Sequence, residues 1–201
     1  GIGLGWERAS IDGQSVEAGG GLGGSFTWVE NAIIGSLATN VMDVAMVGAN
    51  VKYYMADSGL GDAASGFGFD LGLLVSLGDM FVIGVNAIDL AGSTIEWDGG
   101  ATDVISGLYK AGLAMKLADD KFVLAADVDF DGTALGDTHV GMEFQLIDEL
   151  ALRGGVVLTN NFQDYYLTVG AGINVAGLYV DAAYILEETL GNTLVLSAEF
   201  S

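Results

Sequence analysis

Apolar and polar residues alternate along most of this chain with a period of two. The clearest stretch runs from Gly66 to Leu77, where one face carries Phe67, Phe69, Leu71, Leu73, Val75 and Leu77. The other face carries Gly66, Gly68, Asp70, Gly72 and Ser76, with Leu74 as the one mismatch. Successive side chains of a β-strand point to opposite faces, so the pattern predicts strands with one apolar and one polar face.

The same alternation recurs elsewhere, most clearly in Val44–Tyr54, Tyr109–Leu117, Phe122–Phe130 and His139–Leu146. In each stretch the charged residues fall opposite the large apolar ones. No segment shows a helical stripe, and no apolar run reaches the roughly 18 residues that a membrane-spanning helix needs. The pattern therefore predicts an all-β chain.

Short turns and longer polar segments separate the predicted strands. The turns are Asp12-Gly13, Gly78-Asp79, Asp119-Asp120, Asp148-Glu149, Gly177 and Gly191-Asn192. The longer segments are Ala56–Ala64, Trp97–Asp103, Asp131–Asp137 and Thr159–Asp164. This spacing predicts roughly 12 to 14 antiparallel strands in up-and-down order. No interior linker interrupts the pattern, so we expect a single domain over residues 1–201.

Composition decides what these strands face. The chain is 51% hydrophobic with a mean hydropathy of +0.49, yet its formal net charge is -21. A transmembrane β-barrel reconciles these values, because lipid-facing positions are apolar while lumen positions and loops can be charged. Proline, which cannot donate to a β-ladder, is absent, and the lack of Cys leaves no disulfide or thiolate metal site. The strongly acidic charge argues against nucleic acid as a partner.

Eight charged residues are expected to face the lumen: Lys52, Asp70, Lys110, Lys116, Asp127, Asp129, Glu143 and Arg153. The four bases among them are expected to pair with lumen carboxylates such as Asp127, Asp129 or Glu143, because an unpaired buried charge is costly. The functional alternative is a charged constriction that selects permeants.

One segment imitates the start of a calcium-binding loop. Asp127, Asp129 and Asp131 alternate before Gly132, but position twelve is Thr138 rather than a bidentate Glu. The three carboxylates are therefore a weak Ca²⁺ candidate. The alternative interpretation is a strand that runs into an acidic hairpin. His139 is the only histidine, so neither a zinc site nor a catalytic triad is proposed for it. We predict no catalytic residue and no cofactor.

Several stretches in order resemble the PorV/FadL-like family of bacterial outer-membrane barrels. The matching stretches are Val47–Tyr53, Gly66–Leu74, Ile83–Leu90, His139–Phe144, Leu150–Gly155, Leu167–Gly172 and Val180–Tyr184. Asp89 stands where the family usually has Asn. The family's lumen plug carries an Asn-Pro-Ala-Gly motif, which a chain without Pro lacks. The resemblance implies a non-enzymatic barrel in the bacterial outer membrane.

The resemblance leaves three functions open. The first is passage of small or hydrophobic molecules, as in a porin-like barrel, or service to a secretion system. The second is a structural envelope or surface-assembly protein that uses the barrel as an anchor. The third is a soluble ligand-binding barrel, whose apolar face would point inward. For the first two we expect the outer-membrane bilayer as partner, with other envelope or secretion proteins as further partners.

Overall fold

The computed structural model describes residues 1–16, 19–159, 162–187 and 191–200. Within these ranges the chain forms fourteen β-strands, and no helix there is long and apolar enough to cross a membrane. The strands are β1 (Ile2–Val16), β2 (Leu22–Met42), β3 (Ala45–Asp57), β4 (Ala63–Leu77), β5 (Phe81–Ile88), β6 (Ser93–Trp97), β7 (Thr102–Ile105), β8 (Leu108–Leu117), β9 (Phe122–Phe130), β10 (Leu135–Ile147), β11 (Leu150–Thr159), β12 (Asp164–Val175), β13 (Leu178–Leu186) and β14 (Thr193–Phe200).

The strands pair antiparallel in chain order, apart from a short inserted hairpin of β6 and β7. This confirms the predicted antiparallel up-and-down order and strand number. Two compact units can be distinguished, Gly1–Leu73 with Asn86–Leu108 and Leu74–Val85 with Tyr109–Ser201. Each unit is described by itself below. A single domain over residues 1–201 remains a prediction.

The predicted turns and loops mostly fall between strands, but the loops are shorter than predicted: residues 58–62 connect β3 to β4 and residues 131–134 connect β9 to β10, because the strands extend into both predicted segments. Four of the predicted turns lie between consecutive strands: Gly78-Asp79, Asp119-Asp120, Asp148-Glu149 and Gly177. Ala176 and Gly177 have φ values of 53° and 85°, the left-handed pair that a tight hairpin requires. The predicted turn Gly191-Asn192 adjoins residues 188–190, which lie outside the described ranges, as do residues 160 and 161 of the predicted loop at 159–164.

The predicted turn at Asp12-Gly13 is wrong, because both residues lie inside β1. Gly13 pairs with Phe26 of β2, and a Cβ on Gly13 would stand 2.6 Å from Cζ of Phe26. The glycine thus leaves space for an aromatic ring across the strand rather than a reversal of the chain. The predicted loop Trp97–Asp103 contains the tip of the β6–β7 hairpin, residues 98–101, while its first and last residues belong to the two strands.

The strands expose their apolar face and bury charge on the other. In β4, Phe67 is 59% exposed and Phe69 52%, while Asp70, which follows Phe69 and lies on the opposite face, is 6% exposed. In β9, Phe122 and Leu124 are exposed and Asp129 is buried. Among the described residues no large side chain is fully buried. A soluble barrel with its apolar face inward would show the opposite pattern, so these exposures contradict that alternative.

Candidate functional site: the polar face

In the first unit, buried charge gathers around one lysine. The Lys52 cluster consists of Asn50, Lys52, Tyr54, Asp70, Asp89 and Ser93. Lys52 Nζ lies 2.7 Å from Oδ1 of Asp70 and 3.3 Å from Oδ2 of Asp89. Asn50, Lys52 and Tyr54 alternate along β3 and therefore point to the same face. The cluster places one cation between two carboxylates in a site with little solvent contact.

The remaining hydrogen-bonding capacity of the two carboxylates is also used. The Tyr54 and Ser93 hydroxyls each donate to Oδ1 of Asp89 at 2.8 Å. The Asn50 amide donates to Oδ2 of Asp70 at 2.9 Å. The backbone N–H of Asp89 donates to Oδ1 of Asp70, also at 2.9 Å. A buried ion pair is tolerated when its other lone pairs are satisfied in this way.

Backbone geometry explains how Asp89 reaches the cluster. Asp89 follows β5 with φ of 47°, a left-handed conformation that Asp and Asn adopt more readily than most residues. Its carboxylate then occupies the space above Gly68, where a Cβ would collide with it. The PorV/FadL-like family, which the chain resembles, usually has Asn at the position of Asp89. Asn would suit the same backbone conformation but would lack the negative charge that faces Lys52.

In the second unit, two ion pairs join neighbouring strands. Lys110 of β8 lies directly opposite Asp129 of β9, and its Nζ is 2.7 and 2.8 Å from the two carboxylate oxygens. Arg153 of β11 lies opposite Glu143 of β10, with Nε 2.6 Å from Oε2. Both pairs follow from cross-strand register, which places these side chains on the same face.

Arg153 makes a second ion pair across an intervening strand. Its Nη1 contacts Oδ1 of Asp181 on β13. Gly172 of β12 lies between them, and a Cβ there would collide with the Asp181 carboxylate and approach Nη1 to 3.0 Å. The missing side chain therefore makes the bridge from β11 to β13 possible.

The three carboxylates of the weak Ca²⁺ candidate lie in different elements of the structure. Asp127 and Asp129 belong to β9, whereas Asp131 starts the following turn. The N–H groups of Ala134 and Thr133 and the Thr133 hydroxyl donate to Asp131 Oδ1 at 2.8–2.9 Å. These bonds hold the pKa of the Asp131 carboxyl below its usual value. The residue that joins the first two carboxylates is instead His139, whose Nδ1 is 2.9 Å from Asp127 Oδ1.

A cavity of about 540 Å³ opens on the polar face of the second unit. Small and apolar side chains such as Val123 and Ala125 line it, together with the backbone of Gly141. His139 and Arg153 supply polar groups at its wall. Such a mixed lining can accommodate a small, mostly apolar molecule while a few polar groups orient it.

The predicted charged residues are thus distributed over three places. Lys52 and Asp70 lie in the Lys52 cluster of the first unit. The ion pairs of the second unit contain Lys110, Asp129, Glu143 and Arg153, and Asp127 contacts His139. Lys116 is half-buried and pairs with the exposed Asp120 of the adjoining turn. Whether all eight face a lumen remains a prediction.

Sequence reasoning missed Asp89 and Asp181 as partners of the bases. Asp181 lies in the stretch Val180–Tyr184, and nothing local indicated that it reaches Arg153. Asp89 lies beyond the end of β5, where alternation stops. Its one signal was the unusual Asp in a stretch that resembles a family with Asn there.

An antiparallel sheet that exposes large apolar side chains and buries charged ones has the pattern of a transmembrane β-barrel. Comparison with solved structures agrees. The Ralstonia pickettii toluene transporter TbuX superposes with a TM-score of 0.68 at 14% identity, over 99% of this chain and 77% of that one. The Pseudomonas putida toluene transporter TodX gives 0.67 at 14% identity, over 98% and 76%.

A Pseudomonas aeruginosa FadL homologue superposes with a TM-score of 0.59 at 15% identity, over 92% of this chain and 66% of that one. No protein-family model and no curated protein matches the chain. The chain therefore has the FadL-like outer-membrane β-barrel fold, which confirms the predicted fold class and, at the level of the fold, the resemblance. The structural relatives are transporter barrels rather than enzymes.

Proposed function

We propose that the chain is a barrel of the bacterial outer membrane that lets small, largely apolar molecules pass. The exposed apolar strand faces support the membrane location, because they would be solvated unfavourably in water. The fold supports the transport role, since the similar structures are named as toluene transporters. The observation that carries the proposal is the mixed-lined cavity of the second unit, which offers a molecule room on the polar face.

Uptake into cells tests this function. We expect cells that express the chain in their outer membrane to take up radiolabelled toluene faster than cells with an empty vector. Equal uptake at equal amounts of folded protein would contradict transport and favour the envelope anchor. Service to a secretion system is a separate proposal, tested by whether secretion components co-purify from native membranes without crosslinking.

Filling the cavity is expected to slow transport. Gly141 lies on the polar face of β10 beside His139 and Glu143 in the alternation, and a Cβ there meets only ordinary contacts, with the Gly154 carbonyl oxygen 3.6 Å away. The Gly141→Phe variant places a ring in the cavity, so we expect toluene uptake to fall about tenfold, as expected when a passage is narrowed.

Leu124→Phe is the control, because Leu124 is exposed on the apolar face of the neighbouring strand β9 and does not line the cavity. We expect this variant to retain uptake. Heat-dependent gel migration verifies that both variants fold. Unchanged uptake by folded Gly141→Phe would remove the cavity from the transport route.

A further inference from the structure

Strand register brings the only histidine next to two carboxylates. Leu135 of β10 pairs with Phe130 of β9, and the register then shifts by one residue before Thr138 pairs with Val128. A shift of one residue moves the following side chains to the other face of the pairing. His139 therefore lies directly opposite Asp127, on the face that also carries Asp129.

The three side chains form a compact set of ligand atoms. One atom each from Asp127, Asp129 and His139 lies within 4.8 Å of the other two. Asp129 is buried, and Asp127 and His139 are half-buried. Asp127 and His139 also line the 540 Å³ cavity, so the site is accessible to an ion.

His139 Nδ1 has the surroundings of a ligand without a partner. The atom is shielded from solvent and has no hydrogen bond to any described residue. Asp127 Oδ1 is 2.9 Å away, which is close enough for a hydrogen bond, but the direction is unfavourable. A buried nitrogen in this situation requires an explanation, and a bound cation between it and the carboxylates supplies one.

We propose that Asp127, Asp129 and His139 bind one divalent transition-metal ion of the Zn²⁺ type. One imidazole nitrogen and two carboxylate oxygens are ligands that Zn²⁺ accepts, with bond lengths of about 2.0 to 2.2 Å. A nitrogen ligand favours Zn²⁺ over Ca²⁺, which takes six to eight oxygens. The cavity side leaves room for a water or a small ligand in the fourth position.

Lys110 competes with the metal for one ligand. Its ammonium contacts both oxygens of Asp129. A carboxylate has about four lone-pair sites, so Asp129 can keep Lys110 on one oxygen and bind the metal with the other. Replacing Lys110 by a neutral residue should therefore strengthen metal binding. If Asp129 were not a ligand, this replacement would leave the metal affinity unchanged.

Titration of the detergent-solubilised chain with zinc chloride tests the site independently of transport. We expect one Zn²⁺ per chain by isothermal titration calorimetry. His139→Gln and the isosteric Asp127→Asn should each weaken binding at least about tenfold, whereas Lys110→Met should tighten it. Co²⁺ in place of Zn²⁺ should give visible absorption bands that His139→Gln abolishes.

Asp131→Asn is the matched control, because Asp131 is near in sequence but is engaged in its turn. It should leave the Zn²⁺ affinity unchanged. Zn²⁺ binding that survives both His139→Gln and Asp127→Asn would assign it to surface carboxylates and overturn the proposal. Absence of binding by the folded wild-type chain would overturn it as well, and would leave His139 as a simple ion-pair partner of Asp127.

Discussion

Replacing Lys52 by Met is expected to lower the free energy of unfolding by about 3 to 5 kcal/mol, the cost of leaving buried charges without their partner. Lys52 is the cation between Asp70 and Asp89, at 2.7 and 3.3 Å. Both carboxylates are buried, so water cannot replace the ammonium. Urea unfolding in detergent, followed by intrinsic Trp fluorescence, measures the loss.

Two comparisons separate charge from packing in this result. Lys116→Met removes an exposed ion pair with Asp120 and should cost less than about 1 kcal/mol. Changing Asp70 and Asp89 to Asn in the Lys52→Met background should recover part of the loss, because neutral amides need no counter-charge. Failure of this rescue would mean that Lys52 stabilises the chain through packing alone.

An arginine on the apolar face of β9 is expected to destabilise the barrel in a bilayer by about 2 to 4 kcal/mol. Ala126 is suited to the test, because it lies at the middle of β9 on the face of Leu124 and Val128. Its neighbour Ala125 lines the cavity on the polar face. Both alanines are exposed, so Ala126→Arg and Ala125→Arg differ only in the face that receives the charge.

The two arginine variants are compared by urea titration of folding into liposomes. Ala125→Arg should cost less than about 1 kcal/mol, since its guanidinium reaches a face that already carries Asp127. Equal losses for the two variants would contradict the assignment of the faces. The comparison is internally controlled, because both changes add the same side chain to the same strand.

Local alternation was sufficient to predict the strands and their two faces. Within β4, for example, the sequence placed Phe67 and Phe69 opposite Asp70, and the exposures agree. Side-chain direction has a period of two in any strand, so a single segment determines its own faces. The prediction of a turn at Asp12-Gly13 was wrong because a dipeptide that is typical of turns also fits inside a strand when an aromatic ring on the neighbouring strand covers the glycine. Here the ring is that of Phe26.

The contacts between strands could not be predicted in this way. Asp89 meets Lys52 because the chain turns into a left-handed conformation after β5. His139 meets Asp127 because of the register shift near the start of β10. Arg153 reaches Asp181 because Gly172 leaves the path between them open. Each contact depends on long-range register or on one missing side chain, which local periodicity does not encode.

The orientation of β9 is the most direct test of the central claim that apolar side chains face lipid. The chain has no native Cys, so single cysteines at positions 123 to 128 can each carry a spin label in liposomes. We predict that collisions with oxygen, which concentrates in lipid, peak at positions 124, 126 and 128, and that collisions with a water-soluble nickel chelate peak at 123, 125 and 127. The opposite phase, or no alternation, would contradict the account.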